Sequence, residues 1–167
     1  MTVLVRPAEP GDAAGLTALA AAVAAEPEGW LLVEQASRSV ADERRYLRAL
    51  RRHPDGAVLV AEVDGGLAGR LSIARDPHPA SPHVADLGVM VAAAHRRRGL
   101  GTALLTAAGD WARGAGVTKL ELHVFPHNAP ALALYEKLGW EREGVRRDHY
   151  RREDGRLADA ILMARFL

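Results

Sequence analysis

The stretch Arg96-Arg97-Arg98-Gly99-Leu100-Gly101-Thr102 carries the clearest chemistry in the chain. It follows a strand-like run, His83 to Val91, and opens a run of residues with helical spacing. A glycine-rich turn at such a junction leaves backbone N–H groups without intrahelical partners, aimed at whatever lies above the helix start. Three arginines directly before the glycines add fixed charge and forked donors that suit phosphate oxygens. Residues of these types in this order describe a cradle for a pyrophosphate.

Glycine at a helix start is common, so Gly99-x-Gly101 by itself says little. Two named phosphate motifs are excluded. The run Gly99 to Leu104 lacks the third glycine of the dinucleotide fingerprint, and no Gly-x4-Gly-Lys-Ser/Thr occurs anywhere.

The cradle has to be held by a fold. At 167 residues, 49% hydrophobic and 26% charged, the chain reads as one domain, 1–167, large enough to bury a core. It contains no cysteine, which removes disulfides, thiolate nucleophiles and cysteine metal sites. The uncharged run Ala13 to Ala25 is too short to cross a bilayer, and Met1 to Arg6 lacks the order of a signal peptide. A cytoplasmic location is the expectation. A net charge of +1 points to neither nucleic acid nor membrane as a partner. Lys119 and Lys137 are the only lysines, so the arginine clusters at 96–98 and 146–152 reflect a general skew and carry reduced weight.

Thr2 to Arg6 predicts a short strand ended by Pro7. Asp12 is placed to cap a helix with apolar residues at Ala13, Leu16, Leu19, Ala20 and Val23, stopped by Glu26-Pro27-Glu28-Gly29. Ser39 with Asp42 resembles a capping box for a second helix running to about His53. Residues 57–63 and 67–75 are two strands around Asp64-Gly65-Gly66, a hairpin signal. A third strand spans 83–91. The helix after the glycines has an apolar face of Leu100, Ala103, Leu104, Ala107, Ala108 and Trp111, and ends at Gly114 and Gly116. Val117 to Val124 is a strand with Leu120, Leu122 and Val124 on one side. Asn128 caps a short helix that tolerates Pro130 in its first turn and stops at Gly139. Residues 140–150 and 157–166 make two strands around Asp154-Gly155. The expected fold is a single α/β (α+β) domain, a mixed, mainly antiparallel sheet of six or seven strands flanked by about four helices.

Arg96-x-x-Gly99-x-Gly101 resembles the acyl-CoA signature of the GCN5-related N-acetyltransferases, Gln/Arg-x-x-Gly-x-Gly/Ala. Asn128, Ala131, Leu134, Tyr135, Glu136, Lys137, Leu138, Gly139 and Trp140 match the same family's downstream block. The element order fits across essentially the whole chain. Ser81 to Asp86, Val124 to Pro130 and Gly155 to Ala160 look most like the bacterial branch that acetylates L-amino acids and ribosomal-protein N-termini.

The resemblance implies acetyl transfer from acetyl-CoA, as cosubstrate, to a primary amine by direct transfer in a ternary complex. The implied acceptor is a free amino acid or small peptide. Acetylation of a protein N-terminus, or non-catalytic acyl-CoA sensing, are the alternatives. Strands 83–91 and 117–124 should part near Val91 and His123. Backbone groups of Val89, Met90 and Val91 would then bond the pantetheine amides, and Arg96, Arg97, Arg98, Gly99, Leu100, Gly101 and Thr102 would hold the pyrophosphate. Asn128 and Ala131 would border the cosubstrate, and Tyr135 would touch it and protonate the departing thiolate. Asp86 is the favoured base among Asp86, Glu62, His83 and His123. The acids Glu26, Glu28, Glu34 and Asp76 would draw in an amine, with Trp30 walling the pocket and loop 76–82 bordering it. No metal is implied, since no helical His-x3-His pair exists. Family habit implies a homodimer.

Overall fold

The computed structural model describes residues 2–32 and 38–167. Seven strands and four helices follow in the order β1 (Val3–Pro7), α1 (Ala13–Ala24), α2 (Val40–Leu50), β2 (Gly56–Val63), β3 (Gly66–Arg75), β4 (Val84–Val91), α3 (Leu100–Gly114), β5 (Lys119–Val124), α4 (Ala129–Lys137), β6 (Glu141–Arg151) and β7 (Leu157–Phe166). They form one sheet, ordered β1-β2-β3-β4-β5-β7-β6. Every neighbouring pair is antiparallel except β4 and β5. Those two are joined through α3, as a parallel pair requires.

Alternation along the strands gives the sheet two apolar faces. Leu59, Ala61 and Val63 of β2, with Leu71 and Ile73 of β3 and Ala85 and Leu87 of β4, pack under Leu100, Leu104, Leu105, Ala108 and Ala112 of α3. Leu132 and Tyr135 of α4 join the same cluster. Val58 and Val60, on the opposite face, pack with Leu16 of α1 and Leu47 of α2. The buried stripe of α3 is turned from the expected one: Leu105 and Ala112 are fully inside, whereas Ala103, Ala107 and Trp111 are half-buried. Gly69 makes the close seat possible, because a Cβ there would stand 3.0 Å from Leu104 Cδ1.

Local signals act as their chemistry dictates, with one diversion. Ser39 Oγ accepts the Asp42 N–H at 3.1 Å and caps α2. Asp64 and Gly65 take φ of 50° and 85° to turn the β2–β3 hairpin. Asp12 sits at the N-cap of α1 but makes no cap bond there. Its carboxylate instead takes both arms of Arg6, at 2.8 and 2.9 Å, and the Glu9 N–H at 2.7 Å. An available guanidinium outcompetes a helix N–H for a carboxylate. Among the described residues no helix is long and apolar enough to cross a membrane.

The register of β6 breaks past its middle. Arg146 pairs with Ala160 and Tyr150 with Ala158, so residues 147–149 all face Asp159. Asp148 has a φ of 50°, and its N–H donates to Asp159 Oδ1 at 2.8 Å. The basic run 146–152 is therefore not one continuous sheet face: the bulge turns its second half.

Candidate active site

β4 and β5 pair through Val84↔Lys119, Ala85↔Leu120 and Asp86↔Glu121, and then part. The split begins after Asp86, well before the expected Val91 and His123. Each strand stays with its antiparallel neighbour, β4 on β3 out to Val91 and β5 on β7 out to Val124. The parallel pair is the weaker bond, and sheet twist opens it.

A cleft of about 570 Å³ occupies the split and the start of α3. Of the residues singled out by sequence, 89–91, 96, 97, 99–102, 128, 131 and 135 line it, as does Trp30. Arg98 and Asp86 lie outside its lining, and so does the whole loop 76–82. Val23, Leu31, His95, Leu134 and Lys137 line it too. Leu134 and Lys137 belong to the matched downstream block but carried no site role there, and Val23, Leu31 and His95 read as ordinary helix or loop residues. His95, directly before the arginine run, comes nearest to a legible signal.

The N–H groups from Arg97 to Thr102 have no hydrogen-bond partner among the described residues, and the first α3 bond runs from Ala103 N–H to Gly99 carbonyl at 2.9 Å. Arg97 and Gly99 take φ of 60° and 84°, which curls the chain so that successive N–H groups converge. Gly101 serves packing instead: a Cβ there would lie 2.8 Å from Leu134 Cδ2, so glycine lets α3 and α4 meet beside the cleft.

The strand side of the cleft divides residue by residue. Ala92 N–H donates to Ala68 carbonyl at 2.8 Å, toward β3. By alternation Met90 also turns its peptide groups to β3, and Val89 and Val91 turn theirs into the split. The Val91 carbonyl is taken by Arg96 Nε at 3.0 Å. Val89 is thus the residue of this trio with both groups open to a ligand, a narrower assignment than the sequence allowed.

Arg96 is not a free phosphate ligand either. Its two terminal nitrogens each reach a Glu26 oxygen at 2.6 Å, so the guanidinium ties the glycine turn to the end of α1. Glu26, expected to attract an amine, is held in this pair. Arg96→Ala should therefore lower the melting temperature by a few degrees, about 1 kcal/mol for a partly exposed bidentate pair. The measurement is thermal unfolding at low and high salt; a direct phosphate contact would instead leave the free protein's melting point unmoved. Arg97 and Arg98 are exposed and unpaired among the described residues.

α4 supplies the other wall. Asn128 Oδ1 accepts the Ala131 N–H at 3.3 Å, the expected cap, while the residue faces the cleft. Tyr135 is 6% exposed and its hydroxyl has no partner among the described residues. Burial pushes its phenol up to about 12.

Asp86 stands on the opposite face of the sheet, at the last β4–β5 pair, where neither α1 nor α2 covers β5. Its carboxyl is raised to about 6, first by partial desolvation and then by the neighbouring Glu121 charge, against the pull of Arg146. His123 follows on β5, held below the usual imidazole range by burial and by the Arg146 charge. The other base candidates are elsewhere. Glu62 is bonded to Arg6 on β1, and His83 precedes Val84 at the closed end of the pair. Asp76 lies outside the cleft lining but its charge reaches Asp86. Glu34 lies outside the described residues.

The segment after α1 crosses the mouth as a strap. His127 Nε2 donates to Glu28 carbonyl at 2.9 Å, and Arg152 donates to the Gly29 and Leu31 carbonyls at 3.1 and 3.2 Å. Trp30 stacks on His127, and His127 on Phe125, at 5.8 and 5.4 Å between centroids. Among the described residues no group of three metal-ligating side chains comes together.

The acetyltransferase (GNAT) family matches residues 23–140. The chain is 35% identical over 127 residues to L-amino acid N-acetyltransferase AaaT of Escherichia coli (strain K12), covering 74% of this chain and 76% of that one. It is 36% identical over 157 residues to N-alpha-acetyltransferase RimI of Mycobacterium tuberculosis, covering 94% and 93%. Among solved structures, the acetyltransferase of GNAT family from Streptococcus pneumoniae superposes with a TM-score of 0.89 at 28% identity, over 99% of this chain and 100% of that one. The matched stretch begins on the last turns of α1 and ends just past α4, the same span that builds the split and its cradle, and the chain belongs to the GNAT family of acetyltransferases as an acetyl-CoA-dependent acyltransferase.

Proposed function

We propose that the protein acetylates the α-amine of a free amino acid or short peptide, with Asp86 as the base and Tyr135 as the acid. The observation that carries this reading is the placement of Asp86 and Tyr135 on opposite faces of the sheet, flanking the split. The donor bound in the split is reached from one side by an amine over the open face. From the other side its sulfur is reached by a buried phenol.

Each chain residue then has a task. Residues 97–102 hold the pyrophosphate through backbone N–H groups and the α3 dipole, which contributes roughly 0.3–1 kcal/mol at an exposed site and up to about 2 when partly buried. Val89 bonds a pantetheine amide as an added strand would. Asp86 takes a proton from the incoming ammonium, so that the nitrogen lone pair can form the new C–N bond. Tyr135, protonated across the working range, donates its proton to the sulfur as the C–S bond breaks, and the second proton of the ammonium, released once the C–N bond has formed, restores the phenol. No cysteine exists and no Gly-x-Ser-x-Gly turn is present, which supports direct transfer over an acyl-enzyme.

The test is a panel of amino acids, peptides and simple amines with acetyl-CoA, following release of free thiol. Turnover confined to long protein N-termini, or none with any amine, would refute the reading. The base assignment has its own signature. Asp86 is the active, deprotonated form above its raised value, so kcat/KM should rise with pH through about 6 and level off. In Asp86→Asn that inflection should vanish together with most of the activity. An unchanged profile would remove Asp86 from the reaction.

A further inference from the structure

The β6 bulge aims one side chain where a regular strand would not. Its extra residues lie between Arg146 and Tyr150, locked by the left-handed Asp148 and its bond to Asp159. Bulges of this kind re-aim side chains beside functional sites. Here the result is that the Tyr150 hydroxyl stands 2.7 Å from His123 Nδ1, over the open face of β5. His149 and Phe125 hold the Tyr150 ring edge-on, with centroids at 4.8 and 6.0 Å.

A hydroxyl at one imidazole nitrogen decides the state of the other. The Tyr150 phenol stays protonated, since burial and the Asp86 charge both oppose its ionisation. A phenol is the better donor and a bare imidazole nitrogen the better acceptor, so Oη–H donates to Nδ1. A neutral His123 then carries its own proton on Nε2. That nitrogen has no partner among the described residues and is open to solvent. It lies one face-sharing position beyond the Asp86↔Glu121 pair, at the mouth of the split.

We propose that Tyr150 is a positioning residue that fixes His123 as a hydrogen-bond donor to the acceptor's oxygen on the carbon next to its amine-bearing carbon. The inference rests on the proposed amine acetylation. It deepens that reading: the site selects α-amino acids and peptides, which carry that oxygen, over simple amines, which do not. His123 thereby leaves the list of bases and becomes a specificity-determining residue. Glu121, Arg146 and His149 act on its charge state, and none of them takes Nε2.

The decisive comparison uses matched acceptors with and without the carboxyl group, such as alanine and ethylamine, with acetyl-CoA saturating. Tyr150→Phe should raise KM for the amino acid roughly tenfold, the scale of one hydrogen bond. KM for the simple amine, KM for acetyl-CoA and kcat should stay within about twofold. His123→Gln keeps an N–H near the Nε2 position and should retain most of the preference, whereas His123→Leu should lose it. Equal loss of kcat on both acceptors in Tyr150→Phe, or an undiminished preference, overturns the proposal. Nitrogen-15 NMR of the wild-type protein reads the tautomer directly, whether or not the variants fold: Nε2–H is expected, and Nδ1–H overturns it. Failure of the wild type to acetylate any amine sinks the acetyl-transfer reading instead, and the tautomer measurement still stands apart from it.

Discussion

Tyr135→Phe should lower kcat by about two orders of magnitude while KM for acetyl-CoA moves by less than about twofold. The substitution deletes one oxygen from a side chain that is 6% exposed and keeps the ring that packs on Trp140 at 5.8 Å. Stability should therefore be nearly untouched, because the hydroxyl has no partner among the described residues to lose. Binding should survive as well, since the cradle is built from backbone on the far side of the cleft. What disappears is the proton for the leaving sulfur, which is needed only as the C–S bond breaks, so the loss falls on turnover. Steady-state kinetics with thiol detection, paired with calorimetric binding of acetyl-CoA, separates the two. Unchanged turnover would reduce Tyr135 to a core residue.

Gly99→Glu should raise KM for acetyl-CoA by about two orders of magnitude, far more than Arg98→Ala, which should cost less than about threefold. Two effects add at position 99. The native φ of 84° is one that side-chain-bearing residues adopt with strain of order 1 kcal/mol or more. The new carboxylate would stand at the start of α3, where the free N–H groups otherwise meet phosphate, and would compete for them and repel it. No atom lies within 4 Å of a Cβ built at this position, so a steric clash is not the cause. Gly99→Ala supplies the strain without the charge and should fall between. Arg98 is exposed and outside the cleft lining, hence its small expected effect. Comparable losses from Gly99→Glu and Arg98→Ala would mean that side chains, not backbone, hold the phosphates.

What could be read from sequence was what is local. Asp64-Gly65 turns a hairpin because few other pairs tolerate those dihedral angles. Asn128 caps α4, and Ser39 caps α2, through bonds that span three residues. Arg96-x-x-Gly99-x-Gly101 marks the cradle because its chemistry is contiguous along the chain. What was hidden depends on partners far away in sequence. Arg96 looked like a phosphate ligand until Glu26, 70 residues earlier, claimed both arms. Asp12 looked like a cap until Arg6 folded over it. Glu62 and His83 looked like bases, and only the sheet order shows that one is tied to β1 and the other sits at the closed end. The start of the split could not be read either. The two strands stop pairing after Asp86 and Glu121 while each keeps its outer neighbour, and no residue announces where that happens. Nor does a basic run such as 146–152 announce a bulge, which reveals itself only against its partner strand.

The early parting of β4 and β5 reaches beyond the reaction. It leaves two strand edges inside the sheet, facing one another, past Asp86 and Glu121. Proteins ordinarily cover, charge or shorten such edges, because an open one is a template for a stray strand. With acetyl-CoA bound in the split as proposed, closing it would remove the donor's place, and the donor itself would be the cover. By mass action a ligand at a hundred times its dissociation constant adds about 2.7 kcal/mol to the folded state. On that reading the fold gains stability as acetyl-CoA rises above its dissociation constant and loses it as acetyl-CoA falls.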